Sequence, residues 1–224
     1  METHRVKRFC QTSEFNCGPY ALAQLLSFYQ EKRNGADIEK DLKMIKDLGI
    51  DGSCLGSSAI SYGYKARMVA QDLYIFDPQW FKLPQEVLLG KLREFYAQAK
   101  KGSLKISIGG YIDFLEKGGR VEFNPLSKEL IIDRLKNHPV LIGFCMTYLY
   151  GEKRPNDSGR NFRYNHFAVI NGYDSKSDSF SVVDPYHLIP FAKSGRYRIK
   201  SDKLVAAMYL AEANNECTLL EIWK

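Results

Sequence analysis

The sequence has no apolar run that approaches the roughly 20 residues needed to span a bilayer. Its first nine residues, METHRVKRF, include basic side chains, but no apolar stretch follows them, so a secretory signal is not predicted. Both absences argue against a membrane-embedded or conventionally secreted protein. We expect a cytoplasmic location, although a protein exported without a signal peptide would show the same pattern.

Cysteine pairs with C-x-x-C spacing are also absent, so a zinc site is not predicted. The five cysteines are Cys10, Cys17, Cys54, Cys145 and Cys217, an odd number scattered along the chain. This usage suits a reducing compartment. Most of these cysteines are expected to be small buried residues, and no metal or cofactor is predicted.

A concentrated stripe of positive charge is missing as well. The net charge is +6, but Lys and Arg are interleaved with Asp and Glu along the chain. Nucleic-acid binding needs a basic patch or a recognisable module, and neither is present. We therefore expect a solvated surface, no nucleic-acid partner, no membrane partner and a monomer.

No internal repeat, low-complexity segment or Gly/Pro/Ser-rich linker divides the chain, which predicts one domain over residues 1–224. Periodic apolar positions predict helices in GPYALAQLLSFYQEKR, ADIEKDLKMIKDLG, residues 54–62, LPQEVLLGKLREFYAQAKKGS, YIDFLEKGG, NPLSKELIIDRLKNH and residues 201–213. Short apolar or alternating runs predict strands in YKARMVAQ, RVEF, PVLIGFCMTYL, HFAVINGY, SFSVVD and TLLEIW. Helices first and strands later indicate an α+β fold with a largely antiparallel sheet.

Cys17 lies where a polar loop turns into the first helix, and Gly18 and Pro19 follow it. Unpaired backbone N–H groups and the helix dipole favour a thiolate at such a position. Gly18 has no side chain to block an approaching carbonyl, so it is a predicted substrate contact. Gln11, six residues upstream, could turn its amide back to form an oxyanion hole with the Cys17 N–H. A lone cysteine, however, is more often a packing residue.

A nucleophilic thiol needs a base and a group that orients the base. Of the four histidines, His166 is the best placed, because it opens a predicted strand beside a polar loop. Asp184 ends the next strand, and a hairpin centred on residue 175 would set it opposite His166. Its carboxylate could then accept the imidazole N–H and fix the tautomer. The sequence therefore predicts a catalytic set of Cys17, His166, Asp184 and Gln11.

These residues resemble the signature blocks of papain-like cysteine peptidases, and more narrowly of the bacteriocin-leader-processing peptidases, cysteine peptidase family thirty-nine. The matching blocks are Q-x5-C-G-P-x-A-L from Gln11 and HFAVINGYD followed by VVDP from His166, and DGSCLGSSAISYGYKARMV resembles the segment between them. The resemblance covers residues 5–70 and about 128–190. It implies a papain-like fold in which a cysteine-bearing N-terminal helix packs against a C-terminal antiparallel sheet.

The resemblance also implies Cys17 as nucleophile, His166 as base, Asp184 as orienter and Gln11 in the oxyanion hole. The activity implied is cleavage of a peptide or isopeptide bond in a peptide or protein substrate through a Cys thioester. Phytochelatin synthases resemble the same arrangement, so a transpeptidase or acyltransferase is the alternative, and a non-catalytic peptide-binding module is a third. Cys17 and His166 are 149 positions apart, more than in the compact transporter-fused peptidases, so the stand-alone branch is the closer resemblance.

The extra length lies in an inserted segment at about residues 74–128, where Trp80 and Phe81 either shape the groove or belong to the core. Specificity is assigned to the polar loop 150–165, in which Arg163 and Asn165 are predicted substrate contacts. Arginines there would favour an acidic or carboxylate-ended substrate. An ordinary solvated loop explains the same residues equally well.

Overall fold

The computed structural model describes residues 3–42, 49–151, 154–155, 161–162, 164–211 and 218–224. Within this part of the chain, none of the helices combines the length and the apolar character that a membrane crossing requires. The described helices are α1 (Cys17–Ser27), α2 (Gly35–Asp41), α3 (Gly52–Ser61), α4 (Gln85–Gln98), α5 (Ser103–Glu116), α6 (Lys128–Arg134), α7 (Met146–Tyr150) and α8 (Ser201–Ala211), with a 3-10 helix at Pro78–Lys82.

Seven strands form one mixed sheet. The strands are β1 (Lys65–Ala70), β2 (Arg120–Glu122), β3 (Val140–Cys145), β6 (Asn165–Asp174), β7 (Ser179–Val183), β8 (Arg196–Lys200) and β9 (Thr218–Trp223), while β4 (Arg154–Pro155) and β5 (Asn161–Phe162) pair separately. Their order in the sheet is β2-β1-β9-β3-β6-β7-β8, so the strand that comes last in sequence lies near the middle. Only β1 and β2 are parallel among these pairs.

Helix α1 is buried along almost its whole length, since every residue from Gly18 to Leu26 is buried. Gln24 is the buried polar residue in this helix, and it is 0% exposed. Its amide accepts from Phe9 N–H at 3.4 Å and donates to Val183 O at 3.5 Å. The helix that begins at Cys17 is thus tied to the strand that leads into Asp184.

The segment predicted as an insertion packs on the same core as α1. Helices α4 and α5 contribute buried residues such as Leu92 and Phe114 to the apolar cluster that includes Leu22 and Leu25. The ring of Phe81 stacks on Phe123 with centroids 4.2 Å apart, and Trp80 also packs on this cluster. Both aromatic residues of the 3-10 helix are therefore partly buried core neighbours.

The prediction of a strand over PVLIGFCMTYL is wrong for its last four residues, Met146 to Leu149. Strand β3 ends at Cys145, and Met146 begins α7, where its N–H donates to Tyr164 O at 2.9 Å. The apolar run continues because the helix is buried too, with Leu149 0% and Tyr150 7% exposed. A continuous apolar run does not by itself distinguish a buried strand from a buried helix.

Other elements also differ from the prediction. Helix α5 begins at Ser103, well before the predicted start at residue 111, and strand β8 was not predicted. The predicted helix over 36–49 is described only as α2, since residues 43–48 lie outside the described residues. Only one of the five residues of β8 is buried, and its exposed positions are charged. Because the strand has no apolar run, its sequence gives a weak strand signal.

The β6–β7 hairpin does not have the predicted register. Val169 pairs with Val183, so continuing the ladder places Asp184 opposite Ala168 and not opposite His166. Because side chains alternate along a strand, a shift of two residues keeps His166 and Asp184 on the same face of the sheet. They are diagonal neighbours, a separation that long side chains can bridge.

Candidate active site

Cys17 is the first residue of α1 and its thiol is partly exposed. Asn16 occupies the N-cap position, but its side chain accepts no hydrogen bond from the described N–H groups of the first helical turn. The first backbone N–H groups of a helix have no partner inside the helix, and they attract negative charge. The helix start therefore offers a site for a thiolate and for an oxyanion.

Gln11 is buried, 4% exposed, in the loop that leads to Cys17. Its backbone N–H donates to Pro185 O at 2.9 Å, which holds this loop against the residue that follows Asp184. Its side-chain amide donates to Ser13 O at 2.7 Å. An amide nitrogen carries two protons, so the second proton is the one that an oxyanion could use.

Asn16 closes the loop between Gln11 and Cys17. Its Oδ1 accepts from the backbone N–H groups of Thr12 and Ser13 at 3.3 and 3.1 Å. Its Nδ2 donates to Thr12 Oγ1 at 2.9 Å and to Glu39 Oε2 at 3.0 Å. Asn16 is 2% exposed, so these bonds are made away from water. They fix the backbone immediately before the thiol.

His166 lies close to the Cys17 thiol, which acts on the charge of the ring, and it bonds to Asp184. Its Nε2 is 2.8 Å from Asp184 Oδ1, which leaves Nδ1 as the nitrogen that faces the thiol. Burial disfavours a charged imidazole, but the Asp184 and Cys17 side chains outweigh it and raise the pKa of His166 to about 10. The ring favours the imidazolium form because a negative group can lie on either side of it.

Aromatic rings pack around His166 and leave it 2% exposed. The Phe144 ring meets it edge-on with centroids 5.5 Å apart, and the Tyr186 and Tyr150 rings follow at 5.9 and 6.4 Å. Water is therefore excluded from the imidazole on these sides. The partly exposed thiol is the member of the set that an incoming molecule can reach.

Asp184 is 0% exposed and accepts four hydrogen bonds. Its Oδ1 accepts from His166 Nε2 and from Tyr186 N–H, both at 2.8 Å. Its Oδ2 accepts from the hydroxyl groups of Tyr150 at 2.5 Å and Tyr197 at 2.8 Å. Burial would raise the pKa of this carboxyl, but the charge and donor groups around it lower the pKa overall.

Arg8 supports the backbone on either side of Pro185. Its Nε donates to Asp184 O at 3.0 Å and its Nη2 donates to Tyr186 O at 2.9 Å. Asp184 N–H in turn donates to Gly195 O at 2.9 Å. The guanidinium lies directly against Gly195, where a Cβ would come within 1.9 Å of Arg8 Nε. The segment that carries Asp184 is held from two directions.

The remaining predicted contacts are placed as follows. Gly18 is buried, and a Cβ there would be 2.7 Å from Ile50 Cγ2, so packing also requires glycine at this position. Asn165 directly precedes His166 and donates to Ala211 O at 3.2 Å. Arg163 lies outside the described residues. Substrate contact by any of these three stays a prediction.

The other cysteines and histidines lie apart from this set. The expectation that most cysteines are buried is wrong for the four described ones, since Cys145 is buried but Cys17 and Cys54 are only partly buried and Cys10 is exposed; Cys217 lies outside the described residues. Burial raises the pKa of the Cys54 thiol to about 11. His138 bonds to Glu221, with Nε2 and Oε1 3.1 Å apart. In the described ranges, His, Cys, Asp and Glu side chains form no group of three that would hold a metal ion.

Sequence reasoning missed Asn16, Tyr150 and Tyr197. Asparagine before a helix start is a common cap, but this signal predicts a bond to α1 that the Asn16 side chain does not make. Tyr150 was predicted to be the first residue of the polar loop 150–165, no element was predicted around Tyr197, and nothing in the local pattern directs either hydroxyl to Asp184. Their role depends on the helical turn of α7 and on the place of β8 beside β7.

No protein-family model matches the sequence, and no curated protein matches it. Among solved structures, a C39-like peptidase from Bacillus anthracis aligns with a TM-score of 0.52 and 14% identity, over 98% of this chain and 94% of that one. A double-glycine-motif protease from an AMS/PCAT transporter, crystallised with a leader peptide, aligns at 0.49 and 14%, over 98% and 92%. The peptidase domain of Streptococcus ComA, a bifunctional ABC transporter involved in quorum sensing, aligns at 0.47 and 12%, over 97% and 98%.

The likeness to the Bacillus anthracis protein, together with the mixed sheet and the helices described above, shows that this chain has the papain-like α+β fold of a C39-like peptidase. The fold predicted from the sequence is confirmed. At this level of identity the likeness concerns the fold alone, and the chemistry of the site depends on this chain's own residues.

Proposed function

We propose that the protein is a cysteine peptidase-like hydrolase that cleaves a peptide or isopeptide bond through a thioester at Cys17. One observation carries the proposal. The buried His166 imidazole bonds to the Asp184 carboxylate and lies beside the Cys17 thiol, which also raises the pKa of the ring. A base held between a nucleophile and an orienting acid is the arrangement that acyl transfer needs.

In the first step the Cys17 thiolate attacks the substrate carbonyl carbon, and the carbonyl oxygen becomes an oxyanion. The Cys17 N–H and the Gln11 amide donate to that oxyanion. The C–N bond then breaks, and the imidazolium gives its Nδ1 proton to the leaving amine. In the second step His166 takes a proton from water while that water attacks the carbonyl carbon of the thioester. The C–S bond then breaks, the acid leaves, and the Cys17 thiolate and His166 imidazolium are restored.

Asp184 serves this cycle without taking up the proton itself. Its bond to Nε2 fixes the tautomer in which Nδ1 exchanges the proton with sulfur and substrate. The charge on Asp184 also stabilises the imidazolium after proton transfer. We place all four groups in one domain, because α1, the segment 74–128 and the strands β6 and β7 contribute to one core. A peptide or protein is the substrate class proposed.

Limited alkylation tests the proposal without knowledge of the substrate. The native protein is treated with substoichiometric iodoacetamide at pH 6, and the label is mapped by mass spectrometry. We expect Cys17 to be labelled before Cys10, although Cys10 is the more exposed thiol. An unperturbed thiol, with a pKa of about 8.5, would hardly react at that pH.

His166→Ala should abolish the preference, because it removes the partner of the thiolate. Asp174→Ala is a matched control on the same strand, since Asp174 bonds at the far end of the hairpin to Ser177 and Arg198. Labelling of Cys10 ahead of Cys17, or a preference that survives in His166→Ala, would contradict the proposal. With an identified substrate, the product mass in the presence of an added amine separates hydrolysis from acyl transfer.

A further inference from the structure

The carboxylate of Asp184 stands out among the buried charges of the described residues, because each of its oxygens accepts two hydrogen bonds. Of these four donors, only His166 has a role in the catalytic steps proposed above. The N–H of Tyr186 belongs to the turn after Asp184. The hydroxyl groups of Tyr150 and Tyr197 both serve Oδ2, the oxygen that faces away from His166.

A carboxylate that is 0% exposed has lost its hydration, which favours the protonated acid. A protonated Asp184 would no longer stabilise an imidazolium. Hydrogen bonds donated to the charged form offset the cost of burial, and several such donors lower a carboxyl pKa substantially. The His166 charge contributes most to keeping the carboxylate ionised, and the two tyrosine hydroxyls add to it as the donors at Oδ2.

The two hydroxyl groups approach Oδ2 from different elements. Tyr150 is the last residue of α7, and Tyr197 lies on β8. The Phe191 ring packs on both of them, with centroids 5.7 Å from Tyr150 and 5.2 Å from Tyr197. Tyr150 also stacks on Tyr186 at 6.1 Å. Rings held in this way leave their hydroxyl groups little freedom to leave the carboxylate.

We propose that Tyr150 and Tyr197 are positioning residues that keep Asp184 ionised and directed at His166. The proposal rests on the proposed function, since it assigns these tyrosines to the same thiol chemistry. Neither residue touches the thiol or the substrate in this role. Burial and the Asp184 charge raise the pKa of both phenols, which keeps them protonated as donors across the working range.

The test titrates Asp184 directly. Protein labelled with carbon-13 at aspartate carboxyl groups is followed by NMR from pH 2 to pH 7, with Asp184→Asn to assign the signal. In Tyr150→Phe/Tyr197→Phe we expect the Asp184 carboxyl to titrate at least about one pH unit higher than in the native protein. Phenylalanine keeps the ring contacts, and each single variant should shift the midpoint by a smaller amount.

Tyr173→Phe is the matched control. It removes a tyrosine–aspartate bond of 2.6 Å, to Asp178, at the opposite end of the same hairpin. The Asp184 titration should not move in this variant. An unchanged Asp184 midpoint in the double variant, or an equal shift in Tyr173→Phe, would overturn the proposal. Neither reading depends on a reactive Cys17, so this failure is distinct from failure of the proposed function.

A second measurement links the tyrosines to the thiol. The rate of Cys17 alkylation is measured against pH in the native background and in Asp184→Asn. In the native background, the double tyrosine substitution should shift to higher pH the point at which the alkylation rate falls in acid. In Asp184→Asn the same substitution should leave that point unchanged. A shift of equal size in both backgrounds would show that the tyrosines act through another group and would overturn the proposal.

Discussion

The loop before the thiol can be disrupted by one isosteric substitution, Asn16→Asp. The side chain keeps its shape and its Oδ1, which accepts from Thr12 and Ser13. The Nδ2 donor is replaced by a second oxygen. That oxygen would stand 3.0 Å from Glu39 Oε2, where the native structure has a hydrogen bond. Attraction between the two side chains becomes repulsion.

The size of the effect follows from the distance. Two unit charges 3.0 Å apart repel by about 1.4 kcal/mol in bulk water and by about 5.5 kcal/mol at an effective dielectric constant of 20. Protonating one carboxyl at pH 7 limits the cost to about 4 kcal/mol, since each pKa unit is worth 1.36 kcal/mol. We therefore expect the free energy of unfolding to fall by about 2–4 kcal/mol at pH 7.

Urea denaturation of four proteins gives the answer: the native chain, Asn16→Asp, Glu39→Gln and the double variant. Glu39→Gln alone should cost about 1 kcal/mol or less, because it keeps an oxygen that accepts from Asn16. In the double variant the new amide can donate to the new carboxylate, so most of the stability should return. Alkylation of Cys17 should slow in Asn16→Asp and recover in the double variant.

Asn34→Asp is the control for the substitution itself. Asn34 caps α2, and its Oδ1 accepts from Ala36 and Asp37. Aspartate serves as well as asparagine at such a cap, so the change should be within about 0.5 kcal/mol. The reasoning is refuted if Asn16→Asp costs no more than Asn34→Asp, or if Glu39→Gln restores nothing.

Two further perturbations test other parts of the molecule. Burial lowers the pKa of His138 below 6.5 despite the Glu221 charge, so the unfolded chain binds this proton more readily than the folded protein. The free energy of unfolding should therefore fall as the pH drops below about 6.5. Urea titrations at pH 7 and pH 5 should show a smaller fall in His138→Gln than in the native protein. An equal fall in both proteins would contradict this assignment. Gly195→Ala should lower the thermal unfolding temperature clearly more than Gly63→Ala. Both glycines have a positive φ, so both substitutions strain the backbone. Only a Cβ at Gly195 also displaces Arg8 from the Asp184 and Tyr186 carbonyls. Equal costs would mean that backbone strain alone sets the penalty.

Local signals in the sequence were sufficient for the elements that carry the proposed chemistry. The start of α1 at Cys17 follows from a polar loop, Pro19 and a periodic apolar face. The strands β6 and β7 follow from apolar runs on either side of a turn-rich segment. Even with the wrong register, the prediction kept His166 and Asp184 on one face, because the error was an even number of residues.

The surroundings of Asp184 were not accessible in the same way. Tyr150 reaches Oδ2 only because the chain turns from β3 into α7, and the apolar run across that turn is uniform. Tyr197 reaches it only because β8 adds to the sheet beyond β7. Both contacts depend on tertiary packing between elements 13 or more positions from Asp184, which propensity and periodicity do not encode.

The central place of β9 has a consequence for the order in which the protein can be assembled during synthesis. Strands β1 and β3 each pair with β9, and β9 follows every other described element in the chain. Until residue 223 has left the ribosome, the sheet consists of two separate ladders, each with an open hydrogen-bonding edge. Such edges are sites of non-native pairing. A truncation before residue 218 would therefore remove a strand from the middle of the sheet and not from its edge.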